Sequence, residues 1–432
     1  MVRARALPPL LLLAFVTSAC VWNISDREEP GPDGDVTGER ADCSAGPKEP
    51  LSSPQGAAGP RLVGRFSPTG QFAWSGSEIT ARFKGSGLAV TLELLPPPDA
   101  EYDPAKDDRV FTSWVDGKAS LVASKAGKNR YQLASGLDPN AVHEVVLHRE
   151  FEAAGGLSVF HGFEPAPGGE LLPPRVRTRR IEIIGDSISC GYGVLGADGA
   201  CPFTYGTQRH SLSYGALAAR TLDADLTSVC VSGKGLTRNE NGDDGGQPTR
   251  DPAYPPGTIA NAIPQLYGRL DATNPANPTY SAVYVAHPDV PGIPDPGGIF
   301  VAPRPDTAPQ VVVVNLGTND FNFDVADDVF VASGIDLLKR VRSIYPEAHL
   351  FFALSPMLSD SLGADIRTRA AAALRTIVDS AVKRGDKRAY YMQFIEQRQA
   401  RDGLGCSGHP SPRTHELAAS QLVQAIQSKL CW

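Results

Sequence analysis

Residues 311–320 read Val311-Val312-Val313-Val314-Asn315-Leu316-Gly317-Thr318-Asn319-Asp320. Four valines in a row leave no face for water. Such a run is a strand buried on both sides, as in a parallel sheet covered by helices. Valine suits it because its stiff, branched side chain packs well on a pleated surface. The apolar run then stops at Asn315 and at Thr318-Asn319-Asp320. Polar groups just beyond the carboxyl end of such a strand lie where open α/β sheets bind their ligands. Outward from this segment, short apolar runs at 181–184, 226–231, 349–354 and 388–394 predict further strands. Stretches with helical spacing at 213–222, 329–344, 366–384 and 414–430 alternate with them. Strands alternating with helices predict an α/β domain over a parallel sheet, placed at 178–432.

The texture upstream is different. Gly64-Arg65-Phe66, Phe72-Ala73-Trp74, 79–83, 88–94, 110–115, 142–147 and 157–163 are short runs broken by Gly, Pro and Asp. Asp116-Gly117 is a turn signal. Short strands at this spacing, with no helical pattern between them, predict an all-β sandwich over 59–172. Two long stretches inside the α/β region, 239–257 and 287–310, read as loops, the second dense in Pro and Gly.

A chain of 432 residues has room for two domains and a tail. Net charge is -7 and the basic residues are scattered, which excludes nucleic acid as the main partner. The run Arg175, Arg177, Arg179, Arg180 reads as a solvated linker. Arg3 and Arg5, the apolar run 10–16 and Thr17-Ser18-Ala19-Cys20 describe an export signal. A Cys directly after the small residues resembles a bacterial lipoprotein signal. On that resemblance 1–20 is a signal peptide, and a lipid on Cys20 is the chain's only membrane attachment. Residues 21–58, rich in Gly, Pro and acids, read as a disordered tether. The expected location is the cell envelope (outer membrane or cell surface) or the medium. The other cysteines, Cys43, Cys190, Cys201, Cys230, Cys406 and Cys431, are even in number, which in an exported chain favours disulfides. The sequence leaves their pairing open. No C-x-x-C pair occurs, so no zinc site is expected.

Three segments carry chemistry. Gly185-Asp186-Ser187-Ile188 follows a strand, and a Ser on such a turn exposes its hydroxyl beside the turn's own N–H groups. Asn319 can offer a side-chain N–H to an oxyanion; the bland alternative is a helix cap. His409, in Gly408-His409-Pro410-Ser411, can act as a general base; the bland alternative is a surface loop.

Taken together, the order Gly-Asp-Ser, Gly-Thr-Asn-Asp and His-Pro resembles the SGNH (GDSL-type) hydrolase superfamily. The resemblance implies a flavodoxin-like, three-layer α/β/α domain and four residues acting as a unit. Ser187 would be the nucleophile and His409 its base. The N–H groups of Ser187, of Gly233 in Val231-Ser232-Gly233-Lys234-Gly235, and of the Asn319 side chain would form the oxyanion hole.

The stretch Ile183-Ile184-Gly185-Asp186-Ser187-Ile188-Ser189-Cys190-Gly191-Tyr192-Gly193, with Ser232-Gly233-Lys234-Gly235-Leu236, is similar to carbohydrate esterase family 2. That family places a jelly-roll-like β-sandwich before the catalytic domain. Here 64–66, 74–77 and 115–117 resemble its strands and a turn. The resemblance covers about 60–432, apart from the two loops, and implies deacetylation of acetylated carbohydrate through an acetyl-Ser intermediate. No cofactor is implied, and a monomer is expected.

One departure stands out. Many SGNH enzymes carry an Asp two or three residues before the His, and here Ser407 and Cys406 occupy those places. Some family 2 members lack the acid as well, which implies a Ser187–His409 dyad held by a backbone carbonyl; Asp402 is the alternative. Asp186 is expected to tie the nucleophile turn, and Tyr192 to line the pocket. A lipase, a thioesterase or an inert sugar-binding protein are the competing functions.

Overall fold

A computed structural model describes residues 36–43, 52–67, 69–96, 109–240, 262–267, 308–363 and 365–432. The signal segment, most of the tether and most of the loops 239–257 and 287–310 lie outside these residues.

Five strands form a parallel sheet in the order Ala224–Cys230, Arg179–Gly185, Val311–Asn315, His349–Leu354, Ala389–Gln393. Chain order runs outward from Arg179–Gly185 in both directions, so the switch point lies between that strand and Val311–Asn315. Alternate valines feed opposite layers. Val312 and Val314 pack in one core with the helices Asp327–Ile344 and Ile366–Val382. Val311 and Val313 pack in the other with Tyr214–Thr221 and Pro412–Leu430. The four-valine run is therefore buried throughout. The elements start a residue or two from the sequence-based bounds, where caps decide the start. Ser213 accepts from Ala216 N, and Ser411 from Thr414 N.

The preceding residues form two antiparallel sheets. One orders Gln71–Phe72, Leu157–Pro165, Gly87–Leu95 and Gly127–Ser135; the other is built around Glu78–Lys84, His143–Arg149 and Val110–Val115. The sequence reading passed over Lys118–Ala123 and Gly127–Ser135. Both are mostly exposed and so lack an apolar stripe.

Two readings need correction. The basic run is not a solvated linker. Arg175–Arg177 is a strand paired with Ser52–Pro54, and Arg179 opens the central strand, buried and donating to the Leu222 carbonyl. Arg177 lies 3.2 Å from Asp223 and 3.4 Å from both Asp225 and Glu78. These carboxylates, distant in sequence, give the cations a reason to leave water. Within the stretch read as tether, 36–43 is docked. Thr37 N donates to Tyr391 O at 3.0 Å, covering the edge strand Ala389–Gln393, and Cys43 is bonded to Cys431.

The two domains share buried groups. Trp74 of the sandwich is 1% exposed and belongs to the core of the α/β domain. A chain of hydrogen bonds runs Glu78–His148–His210–Ser228, with steps of 3.0, 3.0 and 2.8 Å.

Candidate active site

The strand Arg179–Gly185 ends at Gly185, and Asp186 caps the one-turn helix Ser187–Cys190 by accepting from Ile188 N at 3.0 Å. This turn needs Gly185, because a Cβ there would lie 2.0 Å from Ser189 Oγ. As the first residue of the helix, Ser187 has a backbone N–H with no intrahelical acceptor. Asp186 is fully buried, and that burial pushes its carboxyl up to about 7. Its bond to Ile188 N is the tie expected of it.

Ser187 Oγ–H donates to His409 Nε2 at 2.8 Å, across 222 positions of sequence. On the other side of the ring, His409 Nδ1–H donates to the Ser407 carbonyl at 3.2 Å. The two bonds together require one tautomer. Burial pushes the imidazole down to about 4, against the opposing pull of the Ser407 and Cys406 carbonyls. The ring is thus neutral at ordinary pH, with Nε2 as its acceptor atom. Asp402 is engaged elsewhere: its carboxylate accepts from the Arg401 guanidinium at 2.6 Å and from Arg398 N at 3.0 Å. Tyr192 lies over the imidazole with centroids 4.3 Å apart, and Phe203 stacks on Tyr192 at 4.0 Å.

The segment carrying His409 is short of regular structure and held by other means. Cys406 is bonded to Cys201. Cys406 N donates to Gly193 O, Ser407 N to Cys201 O, and Gly408 N to Gly199 O. Ser407 itself has φ 54, a left-handed conformation that turns its carbonyl back toward the ring. Cys190, next to the nucleophile, is bonded to Cys230 at the end of the neighbouring strand.

Gly233 and Asn319 arrive from two further strand ends. Gly233 has φ +74, which an L side chain rarely adopts. Asn319 Nδ2 donates to the Lys234 carbonyl at 2.9 Å. An amide has two N–H groups, and this bond uses one of them.

Sequence reasoning overlooked two residues. Asp320 is fully buried and accepts from Leu236 N, Thr237 N, Thr237 Oγ1 and Arg238 N at 2.7–2.9 Å. It ties the segment after Gly233 to the end of the valine strand. Its place beside Asn319 was the available signal, read only as a turn. Glu152, from the sandwich, accepts from Ser232 N at 2.8 Å and from Ser232 Oγ at 2.6 Å. No local pattern marks it, because its partner is 80 residues away.

Comparison with known proteins gives two family matches: residues 62–174 match the carbohydrate esterase 2 N-terminal family, and 181–422 the GDSL-like lipase/acylhydrolase family. The cellulase/esterase CelE of Acetivibrio thermocellus is 33% identical over 378 residues, 85% of this chain. The chain spans 39% of the length of that relative. The acetylxylan esterase/glucomannan deacetylase of Cellvibrio japonicus is 24% identical over 371 residues, covering 83% of this chain and 85% of the relative. Among solved structures, a family two carbohydrate esterase from Clostridium thermocellum, in complex with cellohexaose, superposes with a TM-score of 0.69 at 30% identity. The match covers 87% of this chain and 100% of that one.

Proposed function

The chain belongs to carbohydrate esterase family 2, and from that premise we propose that it is a serine esterase removing acetyl groups from O-acetylated carbohydrate. Ser187 is the nucleophile, His409 the base, and the N–H groups of Ser187, Gly233 and Asn319 hold the oxyanion. The observation that carries this reading is the 2.8 Å bond from Ser187 Oγ to His409 Nε2, at the sheet's switch point.

The chemistry follows. A serine hydroxyl is a weak nucleophile until a base takes its proton. His409 Nε2 accepts that proton as Oγ attacks the acetyl carbonyl carbon. The C=O electrons move onto oxygen, and the N–H groups stabilise the resulting charge. Collapse breaks the bond to the sugar oxygen, which leaves with the proton from His409. Water, giving its proton to the same base, then attacks the acetyl-Ser187 ester; the C–Oγ bond breaks, Oγ takes the proton back from His409, and acetate departs. The Ser407 carbonyl takes the place of a triad carboxylate: it orients the ring through Nδ1–H without adding a charge. A sugar-binding protein with an inert site is disfavoured, since it needs neither this bond nor the neutral imidazole.

The export signal at 1–20, lipidation of Cys20, domains at 59–172 and 178–432, and a monomeric state complete the proposal. Recovery of the full chain only in the soluble fraction would refute the anchor. The decisive assay compares hydrolysis of p-nitrophenyl acetate, butyrate and octanoate by the full chain and by Ser187→Ala. Acetate turnover that disappears in the variant supports the reading. Preference for octanoate moves it to a lipase, and no turnover by folded wild type moves it to the inert binder.

A further inference from the structure

We infer that Glu152 of the β-sandwich is a positioning residue for the oxyanion hole, clamping Ser232 so that the N–H of Gly233 faces the reacting carbonyl. The inference rests on the proposed Ser187 site.

Gly233 lies between two clamps of different origin. Downstream, the α/β domain holds the segment with its own residues: Asn319 Nδ2 donates to Lys234 O, and Asp320 takes the donors of residues 236–238. Upstream, both carboxylate oxygens of Glu152 accept from Ser232, one from its N–H and one from its hydroxyl, and the Gln208 side chain also bonds the carboxylate. Two bonds from a planar carboxylate to one residue fix that residue's orientation as well as its place. The next backbone N–H in the chain is that of Gly233, in a left-handed conformation that few residues can hold unaided.

Glu152 is itself fixed. It is 3% exposed, and the fully buried Arg149 donates from Nη2 to its carbonyl at 3.2 Å and from Nε to the Phe151 carbonyl at 3.0 Å. Arg149 also attracts the carboxylate, partly offsetting the burial that pushes it up; the bonds from Ser232 oppose that burial more strongly. Simple adhesion between the domains would not call for this residue. Glu150, two positions earlier, already serves that purpose: its Oε2 accepts from Ser211 N at 2.8 Å and its carbonyl accepts from His210 N at 3.2 Å. Glu152 instead holds both the N–H and the hydroxyl of Ser232. Its use at the one residue preceding Gly233 points to positioning. The sandwich is therefore part of the catalytic apparatus as well as a neighbouring domain.

The test measures kcat and KM for p-nitrophenyl acetate, with thermal midpoints, in the full chain carrying Glu152→Ala, Glu152→Gln, Ser232→Ala or Ser187→Ala. Glu152→Ala should lower kcat roughly 10-fold or more with KM within about twofold, short of the ~10²–10³-fold of losing a donor outright. Glu152→Gln keeps one acceptor oxygen and should fall between. Ser232→Ala keeps the N–H bond but loses the hydroxyl bond, and should likewise fall between. A folded Glu152→Ala with wild-type kcat, or one altered only in KM, would overturn the inference. If Glu152→Ala does not fold, Glu152→Gln decides on the same criteria; failure of both to fold would make Glu152 a folding residue and overturn it. Full activity in Ser187→Ala would instead remove the site reading beneath it.

Discussion

The pH dependence of activity follows from the missing triad acid. A carboxylate beside Nδ1 would favour the charged imidazole and raise its pKa. Here the partner is the neutral Ser407 carbonyl, and burial lowers the ring to about 4. At pH 5.5 a ring of pKa about 4 is ~97% neutral, whereas one at the ordinary value near 6.5 is only ~9% neutral. The two cases differ roughly tenfold in active base at that pH. Activity is present above the folded pKa and lost as pH falls through about 4. Stability runs in the same direction. The unfolded ring binds its proton near 6.5 and the folded ring only near 4, so this group's contribution is complete above pH ~6.5 and lost progressively down to ~4. The assay is kcat/KM for acetate release across pH 4–8, which reports the free enzyme. Circular dichroism at each pH separates loss of base from loss of fold. A plateau extending below pH 5.5 is expected. Half-maximal activity at 6.5 or above, with the fold intact and the same midpoint in Asp186→Asn, would refute the reasoning and bring Asp402 or another carboxylate back as the partner of His409.

Two further outcomes are expected. Asn319→Ala removes an oxyanion donor and the bond to Lys234 O, and should lower kcat by roughly 10²–10³-fold with a smaller change in KM, read from initial rates on p-nitrophenyl acetate. The paired variant Cys201→Ala with Cys406→Ala unties the segment that presents His409; thermal or denaturant unfolding should show a loss of about 2–4 kcal/mol, and kcat should fall while Ser187 still reacts with an organophosphonate.

Local patterns were enough for the architecture. The valine strand at Val311–Asn315 announced a parallel sheet because burial on both faces erases alternation. Ser187, Gly233, Asn319 and His409 were legible for a related reason. Each lies in a short segment where polar or Gly residues follow a strand or precede a helix, and the order of those segments resembles a known family. Their union is a tertiary fact: Ser187 and His409 meet at 2.8 Å because the turn after the strand Arg179–Gly185 and the loop tied by Cys201–Cys406 come together. The roles of Asp320, Glu152 and the arginines at 175–179 lay beyond sequence reasoning. A buried charge is tolerable only where a partner waits, and those partners stand 43 to 99 positions away. Composition and period register what a residue is and what its neighbours are. Only the folded chain determines which distant dipole or charge makes its burial possible, as Ser232 does for Glu152 and the 236–238 backbone for Asp320.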